Sequence, residues 1–313
     1  MSHIIASLLP IFIIIALGYA FTRAKFFSAE GVSALGKFVL HIALPALIFK
    51  TIAEKKIQEV FVPAYLFGYT AATIVCFIVA FVVARKLKQT RQGAAINAFG
   101  QTYSNSAFVG YPLLLGVIGA NASVYFSLNS IIENVFLLPA FLIIAESENA
   151  NSEARFSTRM RQIILSVLRK PLIIALIMGL FLSVVQWKLP TPIDKAVGLL
   201  AAAAAPVAIF AIGCGLSGIK LQGDMADIVQ ITAGKLLLLP LLVAFFIWLL
   251  GGNDEMIFAG ALMGGISMAN TVAIYAYQYG HPHRGAASMI TTNVFSVFTL
   301  SAIFLIHQWL STH

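Results

Sequence analysis

QTYSNSAFVGYP, from Gln101 to Pro112, places six consecutive polar or hydroxyl-bearing residues, then Gly110, Tyr111 and Pro112, inside an apolar run from Gly93 to Gly119. Proline removes a backbone donor and clashes one turn back, and glycine admits dihedrals that other residues avoid. An unbroken helix is not expected across such a stretch. If the stretch lies at bilayer depth, its freed backbone groups persist only where they line a cavity or lie against protein. Amides released at the start of the next half-helix carry partial positive charge and suit a carboxylate.

Composition puts that stretch in lipid. Of 313 residues, 60% are hydrophobic and 10% charged, with a mean hydropathy of +0.92, whereas a soluble domain carries about 25% charged residues. Ten apolar runs approach the ~20 residues that cross a bilayer as helix. They are Ile4 to Phe21, Val32 to Thr51, Phe61 to Ala84, Gly93 to Gly119, Ala122 to Ala145, Pro171 to Trp187, Ala196 to Ser217, Ile228 to Leu250, Ile257 to Gln278 and Ala286 to Trp309. The runs are continuous rather than alternating, which favours helices over a barrel. The expected class is an all-α polytopic membrane protein of ten transmembrane helices. The first run has no basic start and is read as part of the mature chain. Cys76 and Cys214 fall within spans and read as buried free thiols.

The formal charge of +8 is a topology signal rather than a nucleic-acid surface. Fourteen of the twenty Lys and Arg residues fall at breaks on one side, among them Arg85, Lys86, Arg169, Lys170 and Arg284. Lys50, Lys55, Lys56, Lys188 and Lys195 fall on the other, and Lys235 lies inside a helix. Cytoplasmic loops hold the excess of such residues, so both termini are expected outside a bacterial inner membrane. The polar break 146–162 is a cytoplasmic linker, and basic and apolar residues mix from Arg155 to Lys170 as in an interfacial lead-in. No loop is long enough for a soluble domain.

The linker divides the chain into two five-helix halves, 1–145 and 163–313. One gapless offset of 161 residues matches Pro10 with Pro171, Gly18 with Gly179, Pro45 with Pro206, Phe49 with Phe210 and Gly119 with Gly280. Pro63, Pro112 and Pro139 find Asp224, Ala273 and Leu300 instead, so the match is partial. An odd number of spans per copy inverts the second copy. Inverted repeats are a plan of secondary transporters, with a midplane site between interrupted helices. Helix nine has the corresponding stretch in Gly264, Gly265, Ser267, Asn270 and Thr271, with Ser267 opposite Ser106, although it lacks a proline. The candidate breakers are therefore Gly110, Pro112, Gly264 and Gly265. The candidate substrate-binding residues are Asn105, Ser106, Ser267, Asn270 and Thr271. The alternative for either stretch alone is that small residues only permit close helix packing.

Two ionisable residues lie inside spans. Glu133 is near the centre of helix five with Asn129 one turn away, and a charged acid there costs about 2.5 to 3.5 kcal/mol. It reads either as the site of a coupling proton or cation, or as a neutral acid hydrogen-bonding across helices. Lys235, two turns into helix eight, either snorkels to the cytoplasmic surface or attracts an anionic substrate. His41 reads as a packing residue, and His281 with His283 as an exposed loop pair.

NSAFVGYP, Asn105 to Pro112, resembles the auxin efflux carrier family, which includes bacterial malonate and malate carriers, and more remotely the bile acid sodium symporters. The opening LLPIFIIIALGY, FVLHIALPALIF, RKPLIIALIMGL, KLLLLP and the closing YQYGHP are similar too, so the resemblance spans the whole chain. It implies helices one, two, six and seven as a scaffold, helices three to five and eight to ten as a transport domain, and crossed broken helices four and nine. It also implies a homodimer and an elevator-like movement. The family's second crossover commonly contains proline, where this chain has Ala273.

The function expected is secondary transport of a small organic anion, such as malonate, malate or an auxin-like acid, driven by a proton or sodium gradient or by exchange. The alternatives are a passive channel or facilitator and a sodium-coupled symporter of the bile acid type. Neither a nucleotide motif, a zinc HExxH motif nor paired aspartates within spans occurs, so an enzyme reading ranks far below transport and no cofactor or metal is expected.

Overall fold

The computed structural model describes residues 2–56, 60–147, 161–162, 165, 168–215 and 225–312; most of the linker 146–162 lies outside them. Every described regular element is helical. In chain order they are α1 (Ser2–Arg23), α2 (Ala29–Phe38), α3 (Leu44–Ala53), α4 (Pro63–Lys86), α5 (Arg91–Thr102), α6 (Tyr111–Ile118), α7 (Ala122–Ile131) and α8 (Leu138–Glu146). Then follow α9 (Pro171–Val185), α10 (Thr191–Ala202), α11 (Ala204–Gly215), α12 (Met225–Ala233), α13 (Leu239–Leu249), α14 (Asp254–Gly265), α15 (Asn270–Gln278) and α16 (Pro282–Thr312). Among the described residues, six helical runs are long and apolar enough to cross a bilayer: Glu30–Ala53, Pro63–Lys86, Ser106–Ala145, Thr191–Gly215, Met225–Leu249 and Arg284–Trp309. Ile13–Arg23 and Pro171–Val185 are shorter apolar helices.

Proline shapes several of these runs by a single mechanism. π-helical turns occupy Val39–Ala43, Ser106–Gly110, Ile132–Leu137 and Gly234–Leu238, and each is followed by a proline in the first turn of the next helix: Pro45, Pro112, Pro139 and Pro240. A proline ring cannot donate to the carbonyl four residues back and clashes with it, so the helix upstream widens instead of ending. Glu133 and Lys235 both sit in such widened turns. So does His41, which is exposed and whose Nδ1 meets the Lys37 carbonyl at 3.0 Å, so it is not the packing residue expected. Cys76 and Cys214 are buried free thiols.

The chain forms two compact units. Unit 1 comprises Met1–Val62, Ala107–Leu128 and Leu168–Ile219, and unit 2 comprises Pro63–Ser106, Asn129–Val167 and Lys220–His313. In unit 1 a Cβ on Gly18 would collide with the Phe210 carbonyl oxygen, and one on Gly179 would come within 3.1 Å of the Phe49 carbonyl oxygen. These two close approaches exchange partners, since Gly18 matches Gly179 and Phe49 matches Phe210 at the same offset. A Cβ on Gly213 would likewise strike the Ile15 carbonyl, so α1 and α11 meet backbone to backbone. The core of unit 2 is aromatic around α5 and α8, where Phe99 and Phe141 stack at 4.2 Å with Tyr275 set edge-on to both.

Candidate functional site at the paired helix breaks

α5 and α14 are both twelve residues long and start the same way. The Thr90 hydroxyl accepts from the Gly93 amide at 3.0 Å, and the Asn253 side-chain oxygen accepts from the Met256 amide at 2.9 Å. Both helices then stop. After Thr102 the chain is extended at Tyr103, and after Gly265 it is extended at Ile266, so both expected interruptions occur, the second without a proline.

The two extended segments pair with each other. Ser104 and Met268 form an antiparallel bridge: the Asn105 amide donates to the Ser267 carbonyl at 2.9 Å, and the Ala269 amide to the Tyr103 carbonyl at 3.1 Å. The Met268 amide donates to Thr292 Oγ1 at 3.3 Å and the Ser104 amide to Glu133 Oε1 at 3.3 Å. Backbone groups that no helix satisfies are thus satisfied by protein, as lipid requires. These four amides, which lie in the extended segments before the following half-helices, are occupied.

Ser104 is the junction of the site. Its hydroxyl oxygen accepts from Lys235 Nζ at 2.7 Å and lies 3.5 Å from the Tyr69 hydroxyl, while its amide faces Glu133. Glu133 Oε1 also accepts from the Ser106 hydroxyl at 2.7 Å. Lys235 donates a second time, to the Gly264 carbonyl. Its side chain is completely buried, which overturns the snorkelling reading. The stem runs inward to the breaks instead of outward to the surface.

Of the five expected binding residues, Asn105, Ser106 and Ser267 come together at the paired segments and are buried. Ser106 is spent on Glu133. Asn270 and Thr271 open α15, exposed and half-buried respectively. Gly110 and Pro112 are buried at the turn that leaves the first break, and Gly264 and Gly265 are buried at the end of α14. Asn129 is fully buried, its side-chain oxygen accepting from the Tyr65 hydroxyl at 3.0 Å. One fully buried donor here, Ser267 Oγ, has no protein partner among the described residues. A buried polar atom left unpaired costs about 1–3 kcal/mol.

Sequence reasoning placed Tyr103 and Ser104 in the polar stretch but gave no role to them, to Tyr65 and Tyr69, or to a polar ladder on the same unit. Tyr103 donates to Asn134 Oδ1 at 3.1 Å, Gln101 to Asn97 at 2.6 Å, and Asn97 to Gln230 at 2.9 Å. The available signal was spacing, since Asn97 and Gln101 are four apart on one helix. At the end of unit 2 bearing the loop residues, Arg284 pairs with Asp227 and donates to the Gly93 carbonyl at 2.9 Å. His281 beside them is half-buried rather than exposed; the side chain of His283 lies outside the described residues. Burial first, then the Arg284 guanidinium, hold the His281 imidazole below its ordinary range, with Asp227 acting in the opposite direction.

A helical chain that spans the membrane and collects an acid, a lysine and an unpaired donor at paired helix breaks has the construction of a membrane transporter. Residues 3–304 match the membrane transport protein family. The chain belongs to that family, the auxin efflux carrier family to which its motifs pointed, and is a transporter rather than an enzyme. A Rhizobium meliloti (strain 1021) protein named "Putative malonate transporter" is 28% identical over 309 residues, covering 97% of this chain and 95% of that one. The Escherichia coli (strain K12) "Uncharacterized transporter YfdV" is 29% identical over 286 residues, 88% of this chain and 90% of its own. The mouse "Lysosomal cholesterol signaling protein" is 25% identical over 333 residues, 99% of this chain but 38% of its own.

Proposed function

We propose that this protein is a secondary carrier of a small organic anion, a mono- or dicarboxylate of the size of malonate or malate, bound at the paired breaks of unit 2. The observation that carries the reading is the fully buried, unpartnered Ser267 Oγ at the second break, in a unit that also holds Asn105 at the first break and Lys235 bonded to Ser104. A carboxylate accepts hydrogen bonds only, so it complements unspent donors beside an ammonium. The name of the Rhizobium relative agrees with this substrate class.

The architecture we propose is ten transmembrane helices in two inverted five-helix repeats, with unit 2 as the moving body of an elevator-like cycle. The exchanged contacts of Gly18 and Gly179, and the matched caps of α5 and α14, support two related copies. The basic loops support an orientation with both termini outside a bacterial inner membrane. The resemblance to the family supports a homodimer. Glu133 is the candidate for a coupling proton, with Asn129 beside it.

Purified protein in proteoliposomes tests the reading against a panel of labelled malonate, malate and indole acids. Saturable uptake of one of them with counterflow is expected. Ohmic currents without counterflow would identify a channel instead, and no flux of any acid would end the carrier reading.

A further inference from the structure

We infer that unit 1 carries a site for an anionic phospholipid: an acyl chain lies in the apolar groove between α3, α9 and α10, and the phosphate headgroup sits among the basic residues at one end of it. The inference is independent of the carrier reading, because it concerns the unit that does not hold the paired extended segments.

Prolines and a small residue cut the groove. α9 packs along α3 and the π-helical turn Val39–Ala43, and α10 packs along the same two elements. Where these helices meet, Pro45, Ala46 and Pro171 present side chains too short to fill the space, and a groove of about 320 Å³ remains. Phe49, Met178 and Val197 line it farther along. No lining residue carries a polar side chain, so a solute with charged or hydrogen-bonding groups finds no partner there. Ile174 and Met178, which also border the groove, are 44% and 52% exposed, so it opens at the side of the unit. In a membrane-spanning unit that side is lipid, and a methylene chain fills such a slot by dispersion contacts without stranding a polar atom.

Both walls of the groove lead into basic residues at the same end. Arg169, exposed, and Lys170, half-buried, directly precede Pro171. On the other wall, His41 lies one turn and Lys37 two turns before Pro45; both are exposed, and His41 Nδ1 meets the Lys37 carbonyl at 3.0 Å. The walls run in the same direction, since at their far ends the Ser183 hydroxyl donates to the Lys55 carbonyl at 2.7 Å. Among the described residues of unit 1 the acids are Glu30, Glu54 and Asp194. Glu54 and Asp194 both pair with Lys50, at the far end, and Glu30 stands alone against the basic cluster as an exposed residue in the first turn of α2. Positive charge therefore prevails where the groove meets the headgroup layer, and a guanidinium such as that of Arg169 suits a phosphate. A second copy of the chain is the competing occupant. Two copies share one orientation in a membrane, so a two-fold pairing through the groove would set these basic ends against each other.

The test uses the purified full chain in detergent, with dioleoylphosphatidylglycerol and dioleoylphosphatidylcholine as probes of equal chain and different charge. Phosphatidylglycerol should raise the unfolding temperature saturably, by roughly 3 °C or more, and should stay bound in native mass spectra. Phosphatidylcholine should give a much smaller shift. The double variant Lys37→Gln, Arg169→Gln removes two exposed charges and should abolish the difference between the lipids. Ala46→Phe and Val197→Phe each fill the groove and should remove the shift with either lipid; if neither folds, the charge variant decides. The inference is overturned if the wild type responds equally to both lipids, if the charge variant keeps the preference, or if a folded groove-filling variant keeps the full shift. A wild-type dimer that retains no phosphatidylglycerol, and that Val197→Phe splits into monomers, would overturn it by assigning the groove to a second copy.

Discussion

A serine set between a carboxylate and an ammonium serves both at once, because its amide donates and its hydroxyl oxygen accepts. Ser104 does this while buried, its amide on Glu133 Oε1 and its hydroxyl oxygen on Lys235 Nζ. Glu133 takes two hydrogen bonds through Oε1, from Ser104 and Ser106. An amide at this position keeps an acceptor oxygen but cannot carry the proton. Glu133→Gln is therefore expected to fold and to exchange labelled acid across proteoliposomes, but to lose accumulation driven by a pH gradient; accumulation equal to wild type would exclude the coupling role. Glu133 was legible in the sequence because an acid inside a span demands a partner. The role of Ser104 was not, since it depends on how a three-residue extended break turns its side chains. The direction of Lys235 was equally hidden, because a stem two turns inside a helix can reach either way.

At the scale of the elements, four prolines explain four widened turns, and two of those turns carry the charged residues of the site. The prolines were visible, but only Pro112 was read as a local event. Leu-Pro at 138–139 and 239–240 looked like ordinary span sequence, and a π-helical turn leaves no periodicity large enough to see in so apolar a run. The second break came without proline because Gly264 and Gly265 precede it and its amides find partners in Tyr103 and Thr292. Helix contacts in unit 1 depend on glycine in a way that can be measured. Gly213→Leu places a side chain against the Ile15 carbonyl and should lower stability by about 1–3 kcal/mol or more, read as earlier loss of monodisperse protein on heating in detergent. At the Asp227–Arg284 end, the folded chain binds a proton at His281 more weakly than the unfolded chain does, because its imidazole is held below the ordinary 6.5. Protonation then favours unfolding, so stability should rise as pH increases through the range up to about 6.5 and flatten above it. His281→Gln should remove part of that slope, as thermal unfolding across pH will register.

For the whole molecule, an all-helical membrane chain and the family were legible from composition and ordered motifs, because lipid permits few architectures. The proposed repeat was legible in outline, but its register was not. The offset of 161 holds at Gly119 and Gly280, both at positive φ, yet the helix boundaries place Arg91 against Asp254 and Thr102 against Gly265, an offset of 163. A gapless comparison therefore set Ser267 opposite Ser106, whereas the boundaries set it opposite Ser104, the residue on which the site turns. Insertions of one or two residues at turns cost little and leave hydropathy unchanged, so sequence comparison alone does not find them.

The claim that a carboxylate is held by side chains at the paired breaks is tested most directly by [14C]malonate counterflow in proteoliposomes of the wild type, Asn105→Ala and Ser267→Ala. Saturable counterflow is expected in the wild type, with a half-saturating concentration raised roughly tenfold or more in each variant, as for loss of one hydrogen bond to a charged group. Wild-type kinetics in both variants would contradict the account and move the substrate elsewhere in the protein.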